Sequence, residues 1–136
     1  MWSKTKKKVE SFLADSLKGR LEFNCSNYRM HDGIGRIYIT FDKQEIFNMC
    51  TLRRDYYRTP KDGEVSQVEF LEAFHEYQNS SIEDSLKSDN SLLRMLAVLD
   101  RRVGKRTLEN LKDKMEFEEE LVKRFFELRC SLEGIV

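Results

Sequence analysis

The apolar positions change period along the chain. Val9, Phe12, Leu13 and Leu17 fall at i, i+3, i+4 and i+8, one stripe of a 3.6-residue period. This spacing predicts an amphipathic helix over 4–18, with Gly19 as the glycine that ends it. The period then becomes two. Leu21, Phe23 and Cys25 alternate with Glu22, Asn24 and Ser26, and Ile37, Ile39 and Phe41 alternate with Arg36, Tyr38 and Thr40. Three antiparallel strands are predicted, over about 21–29, 35–42 and 45–51. The first turn is His31-Asp32-Gly33-Ile34-Gly35, where Asp-Gly is a hairpin signal, and the second is Asp42-Lys43-Gln44. An alternating sheet has one face to bury, and the N-terminal helix is its natural first cover.

Beyond residue 50 the pattern turns helical. Ser66-Gln67-Val68-Glu69 matches a capping box, after which Val68, Leu71, Phe74 and Tyr77 share a face. A short helix is predicted over 81–87. Asp89, Asn90 or Ser91 caps the next, in which Leu92, Leu93, Met95, Leu96, Val98 and Leu99 are apolar nearly all round, as suits a buried central helix. Gly104 separates it from a helix carrying Leu108, Leu111 and Met115. In the last helix Leu121, Phe125, Leu128 and Leu132 form a stripe that Val122 and Phe126 widen, and Gly134 ends it. The fold expected is α+β: a three-stranded antiparallel meander packed against an N-terminal helix and a C-terminal helical part.

Composition sharpens this picture at a few points. The 136 residues, with six Gly, one Pro and no repeat, suit a single domain over 1–136. Charged residues reach 35%, above the usual level of about 25%, yet nine Phe and five Tyr supply large units of core. No stretch approaches the roughly 20 apolar residues of a membrane span, and no apolar run follows the basic N-terminus as in a secretory signal. Cys25, Cys50 and Cys130 are odd in number, widely spaced and without CxxC. They are expected to be reduced and largely buried, in keeping with a cytoplasmic protein.

Several segments together carry a resemblance: Met1-Trp2-Ser3-Lys4, Tyr28-Arg29-Met30-His31-Asp32-Gly33-Ile34-Gly35, Asn48-Met49-Cys50-Thr51-Leu52, and Leu99-Asp100-Arg101-Arg102-Val103-Gly104-Lys105-Arg106-Thr107-Leu108. Over nearly its whole length the chain resembles a family of short, uncharacterised bacterial proteins. The resemblance implies a bacterial, cytoplasmic, standalone domain and transfers no functional residue.

Charge is distributed in blocks of alternating sign. Residues 1–20 carry a net +4, 61–90 a net −6, 91–106 a net +4 and 107–136 a net −3, within a total of zero. Such blocks either neutralise one another across the fold or steer a partner. Three segments bear candidate chemistry. Arg53, Arg54 and Arg58 interleave with Tyr56 and Tyr57, a mixture that suits a protein interface or a nucleic-acid patch; equally, one tyrosine is core and the arginines pair on the surface. Arg101, Arg102, Lys105 and Arg106 cluster around Gly104, where an anion could be held. Gly104-Lys105-Arg106-Thr107 is no P-loop: Arg106 stands where Ser or Thr is needed, and Leu99 where a glycine is. His31 and Arg36 flank the glycine-bearing turn, a candidate small anion site or simply a hairpin connection. His75 with Glu72 and Glu76 reads as a solvated acidic face rather than a metal site.

These residues define three readings. The first is a non-enzymatic binding module for a protein partner, centred on Arg53, Arg54, Tyr56, Tyr57 and Arg58. The second is a nucleic-acid binder using segments 4–8, 53–58 and 101–106, against which the zero net charge counts. The third is a small enzyme or anion-binding domain centred on 31–36. No catalytic set, cofactor or metal is expected.

Overall fold

The computed structural model describes residues 2–26, 36–48 and 67–135. The architecture is α+β: a three-stranded antiparallel sheet with, among the described residues, six α-helices. The chain forms two compact units. The described residues of 1–11 and 19–72 make the first, and those of 12–18 and 73–136 the second.

In the first unit, helix α1 (Trp2–Glu10) precedes strands β1 (Leu21–Ser26), β2 (Arg36–Phe41) and β3 (Gln44–Asn48), paired in the order β1-β2-β3. Leu21 faces Phe41, Phe23 faces Ile39, and Cys25 faces Ile37. Leu21, Phe23, Ile37 and Ile39 are buried, as the alternation predicts. Phe70, from the first half of helix α2 (Gln67–Gln78), lies 5.9 Å from the Phe23 ring and 6.3 Å from the Trp2 ring. β1 is an edge strand, and side chains of α1 satisfy part of its backbone. The Phe23 amide donates to Glu10 Oε2 at 2.8 Å, while Lys6 Nζ donates to the Phe23 carbonyl at 3.2 Å and to Glu10 at 2.7 Å. Groups occupied in this way cannot template another strand.

The hairpin between β2 and β3 is tighter than its sequence suggests. Asp42 and Lys43 have φ of 51° and 71°, the left-handed pair that a two-residue hairpin requires. Asp42 is held there: its amide donates to the Arg20 carbonyl at 2.9 Å, and its carboxylate accepts a fork from Arg20 at 2.9 and 2.8 Å. The Arg20 guanidinium also lies 4.6 Å from the centre of the Phe41 ring.

The second unit is helical. It contains the second half of α2, then α3 (Ile82–Leu86), α4 (Ser91–Leu99), α5 (Lys105–Leu111), a 3₁₀ segment (Lys112–Phe117) and α6 (Glu120–Leu132). Local chemistry sets the boundaries. Ser81 Oγ accepts the Asp84 amide, and Asn90 Oδ1 accepts the Leu92 amide. Gly134, at φ 70°, ends α6 in a Schellman motif: the Ile135 amide reaches the Cys130 carbonyl at 2.8 Å, and the Gly134 amide reaches Ser131. Seven residues of α4 are buried, and α4 packs along α6.

Four expectations are corrected. The helix predicted over 4–18 ends at Glu10, because the backbone of residues 12–14 pairs with the end of α4 instead. Phe12 accepts the Arg101 amide at 2.8 Å and Ala14 donates to the Leu99 carbonyl at 2.9 Å. On α2, Phe74 and Tyr77 are buried as predicted, but Leu71 is 38% exposed and Phe70 and Ala73 complete the buried face in its place. On α6, Leu128 and Leu132 are only half-buried and the stripe centres on Val122, Phe125, Phe126, Arg129 and Cys130. Cys25 is half-buried rather than buried, being near the end of β1; Cys130 is buried, and both are free thiols. Cys50 and the cap Ser66 lie outside the described residues.

Lys43 is the simplest probe of the hairpin. Lys43→Gly removes the left-handed penalty and loses only an exposed pair with Glu22 at 3.0 Å. Urea unfolding should show a gain of about 0.5–1 kcal/mol. A loss of stability would mean that Lys43 does not occupy this conformation.

Candidate functional site

A connected polar network surrounds the turn between α4 and α5. It begins with a helix end: the last carbonyls of α4 have no intrahelical partner and require donors. Arg129, one position after Leu128 on α6, supplies one of them and also serves two carbonyls of the turn that follows. Its side chain is 3% exposed. Nη1 donates to the carbonyls of Val98 at 2.9 Å and Asp100 at 2.8 Å, Nη2 donates to Val103, and Nε donates to Glu133 at 2.9 Å. The cation thus meets the negative end of α4 as well as a carboxylate. Glu133 Oε2 also accepts from Ser16 Oγ at 2.8 Å. Burial pushes the Glu133 carboxyl up, but the hydrogen bonds from Arg129 and Ser16 outweigh it and hold the group below its ordinary range.

Asp100 is the complementary buried charge. Its carboxylate is fully buried and accepts from the Arg102 backbone amide at 2.7 Å, from the Arg102 guanidinium at 3.1 and 2.8 Å, and from the Tyr77 hydroxyl. Burial alone would raise its pKa; the hydrogen bonds from Arg102 and Tyr77 reverse that and lower it. The same contacts act on the partners. Tyr77 is pushed well above its ordinary value, first by burial and then by Asp100, and Arg102 is raised chiefly by its bond to Asp100. The Arg102 guanidinium also lies 5.4 Å from the centre of the Phe12 ring, and that ring stands edge-on to Phe74 and Tyr77 at 6.1 and 5.7 Å.

Against this geometry the basic cluster at 101–106 divides. Arg102 is spent on Asp100. Arg101, Lys105 and Arg106 are exposed, and Arg101 lines an open pocket of about 320 Å³ with Ala14, Asp15, Ser16, Arg129 and Glu133. Arg36 opens β2 opposite Ser26. His31, Arg53, Arg54, Tyr56, Tyr57 and Arg58 lie outside the described residues. His75, Glu72 and Glu76 are all exposed on α2, and no group of three or more metal-ligating side chains occurs among the described residues.

Sequence reasoning missed Arg129 and the use of Tyr77 and Asp100. A signal for Arg129 existed: it follows Val122, Phe125 and Phe126 at i+7, i+4 and i+3, so it stands on the apolar stripe. The carbonyls that it serves lie about 30 residues earlier, and no local pattern announces them.

Fold and site together define an α+β protein whose helical unit is organised by two buried, oppositely charged side chains at one interhelical turn. The chain belongs to the SF0329 protein family, whose model matches residues 1–64 and 57–130. Searches of curated proteins and of solved structures each gave no match.

Arg129→Met removes a guanidinium donor from the carbonyls of Val98, Asp100 and Val103, of which Asp100 keeps the Val103 amide, and leaves Glu133 without its cation. A loss of about 3 kcal/mol or more is expected in denaturant unfolding; a loss under about 1 kcal/mol would show that Arg129 does not hold the turn. The depressed pKa values of Asp100, Glu118 and Glu133 add an acid dependence. Their stabilisation is complete above the unfolded carboxylate range of roughly 4 and is lost as pH falls through the lower folded values. Asp100→Asn should flatten the fall in stability between about pH 4 and pH 2 relative to wild type. An unchanged acid slope in a folded variant would contradict the assignment.

Proposed function

We propose that this protein is a small bacterial, cytoplasmic module that binds a protein partner and does not turn over a substrate. Phe117 carries this reading. It ends the 3₁₀ segment before α6 with its side chain 86% exposed, on a segment anchored at both sides. Met115 is buried just before it, and the Glu118 carboxylate receives a fork from Arg94 at 2.9 and 2.8 Å just after it. A phenyl ring held in water on a fixed backbone has about 2 kcal/mol to gain from burial against a partner. Lys112, Lys114, Glu116, Glu119 and Glu120 are exposed around it in sequence, the polar rim typical of a hot spot.

The segment Arg53, Arg54, Tyr56, Tyr57 and Arg58 supports the same reading by residue type, since Arg and Tyr are enriched at protein interfaces. The nucleic-acid reading is weakened by how its cations are used: Lys6 is paired with Glu10, and Arg102 with Asp100. Each cation spent internally removes a counterion-release contribution to phosphate affinity.

A photoreactive phenylalanine analogue at position 117 of the whole chain, expressed in a bacterial cell, tests the reading. A discrete protein adduct is expected at 117 and not at exposed Glu109. With the captured partner purified, Phe117→Ala should weaken its binding at least tenfold, as for a hot-spot aromatic. Adducts equal at the two positions, adducts to nucleic acid, or unchanged affinity in Phe117→Ala would overturn it.

A further inference from the structure

The charges next to Phe117 specify the chemistry of what binds there. Residues 116–120 are Glu-Phe-Glu-Glu-Glu, four carboxylates about one phenyl side chain. The fold uses two of them. Glu118 accepts the Arg94 fork at 2.9 and 2.8 Å, and Glu119 lies 3.3 Å from Arg94 Nη2. Arg94 is itself tied down: Nη1 donates to the Ser88 carbonyl at 2.6 Å, and its side chain is 18% exposed. The guanidinium therefore fastens the backbone just after Phe117 to α4 and to the turn before it. Glu116 and Glu120 are left over. Both are exposed, and neither takes part in a hydrogen bond or ion pair among the described residues. Each lies within three residues of Phe117, so within about 11 Å between Cα atoms, close to the screening length of about 10 Å at 0.1 M salt. Lys112 and Lys114 precede this stretch, and Lys123 and Arg124 follow it a turn into α6. Within the stretch, one guanidinium meets four carboxylates, so three negative charges remain.

An exposed phenyl ring gains from burial only in an apolar pocket. Any surface that takes the ring also approaches Glu116 and Glu120, because all three stand on one short stretch of anchored backbone. A nucleic acid or an acidic protein meets like charge there. An uncharged apolar surface strips water from the carboxylates and replaces it with nothing. A pocket edged with cations gives each carboxylate a charge-assisted partner and draws the two surfaces together from a distance. We propose, resting on the reading of Phe117 as an interface residue, that the partner presents a basic surface: an apolar pocket for the ring, rimmed by lysine or arginine side chains that pair with Glu116 and Glu120. Arg94 is the positioning residue of this interface. By holding Glu118 and Glu119 it fixes the backbone that carries the ring and the two unpaired carboxylates before the partner arrives, which lowers the ordering cost of binding.

The test uses the whole chain and two fluorescent amphipathic peptides of about 15 residues, long enough to form a helix. Both carry the same leucine face; the polar face is lysine in one and glutamate in the other. Fluorescence anisotropy gives the affinity, and the amide chemical shifts of 116–120 show where the peptide sits. The lysine peptide should shift these amides and bind at least tenfold more tightly than the glutamate peptide, and Phe117→Ala should weaken it at least tenfold. Glu116→Lys with Glu120→Lys should reverse the preference between the peptides. Glu116→Gln with Glu120→Gln, which keeps the shape and removes the charge, should abolish most of it; the unfolding midpoint checks that each variant is folded. Equal binding of the two peptides, or a preference that neither double variant changes, overturns the basic partner, while the reading of Phe117 stands if Phe117→Ala still weakens both. Absence of binding up to about 1 mM also overturns it, and capture at position 117 then judges the interface reading separately. Affinity unchanged by Phe117→Ala overturns both. A dimer that Phe117→Ala dissociates in sedimentation would make a second copy of this chain the occupant and overturn the proposal.

Discussion

A guanidinium buried among the carbonyls of a helix end is the constraint on which the helical unit depends. An ion withdrawn from water is costly unless nearly every donor finds an acceptor. Arg129 meets that condition with carbonyls at 98, 100 and 103 and a carboxylate on its own helix. The condition is mutual, since the carbonyls at the end of α4 are themselves without intrahelical partners. The observed register of α6 against the α4–α5 turn satisfies both. Apolar packing between Leu92–Leu99 and Leu121–Cys130 supplies most of the driving force; the guanidinium selects among the ways that packing could occur.

Asp100, the C-cap of α4, answers with the opposite sign at the same turn. Its carboxylate draws in Arg102 and Tyr77, and its carbonyl receives Arg129. One residue thus connects α2, α6 and the turn, and the bridge between Leu13 and Asp100 adds the extended segment 12–14. Polar networks of this kind specify a unique arrangement when every member is satisfied. Their cost is visible in the basic cluster: Arg102, two residues after Asp100, has its guanidinium committed to that carboxylate.

In the sheet unit a different problem governs. A three-stranded sheet has two edges and one apolar face. Phe70 and Trp2 meet the face beside Phe23, while Lys6 and Glu10 occupy backbone groups of β1 that would otherwise be open to another chain. The positive φ at Asp42 and Lys43 follows from the right-handed twist of the paired strands, and Arg20 holds the turn in place through the Asp42 carboxylate.

The sequence by itself determined whatever depends on near neighbours. The period-two alternation of Leu21–Cys25 and Ile37–Phe41 located the sheet, Ser81 located the start of the short helix, Asp89, Asn90 and Ser91 bracketed the start of α4, where Asn90 is the cap, Gly134 located a helix end, and the run Leu92–Leu99 identified the buried helix. These signals are legible because capping, turns and strand alternation are satisfied within a few residues. Tertiary structure alone decided where α1 stops, which face α2 and α6 bury, and what the charges at 100, 102 and 129 do. The stripe Val9, Phe12, Leu13 and Leu17 is a sound helical pattern, yet Phe12 and Ala14 exchange backbone hydrogen bonds with residues near 100 instead. A helix interior can spare no amide for such a bond, so the extended pairing excludes the helix there. The open pocket was illegible for the same reason. Asp15, Arg101 and Glu133 stand in separate segments, and only contacts across more than eighty residues of chain bring them to line one pocket.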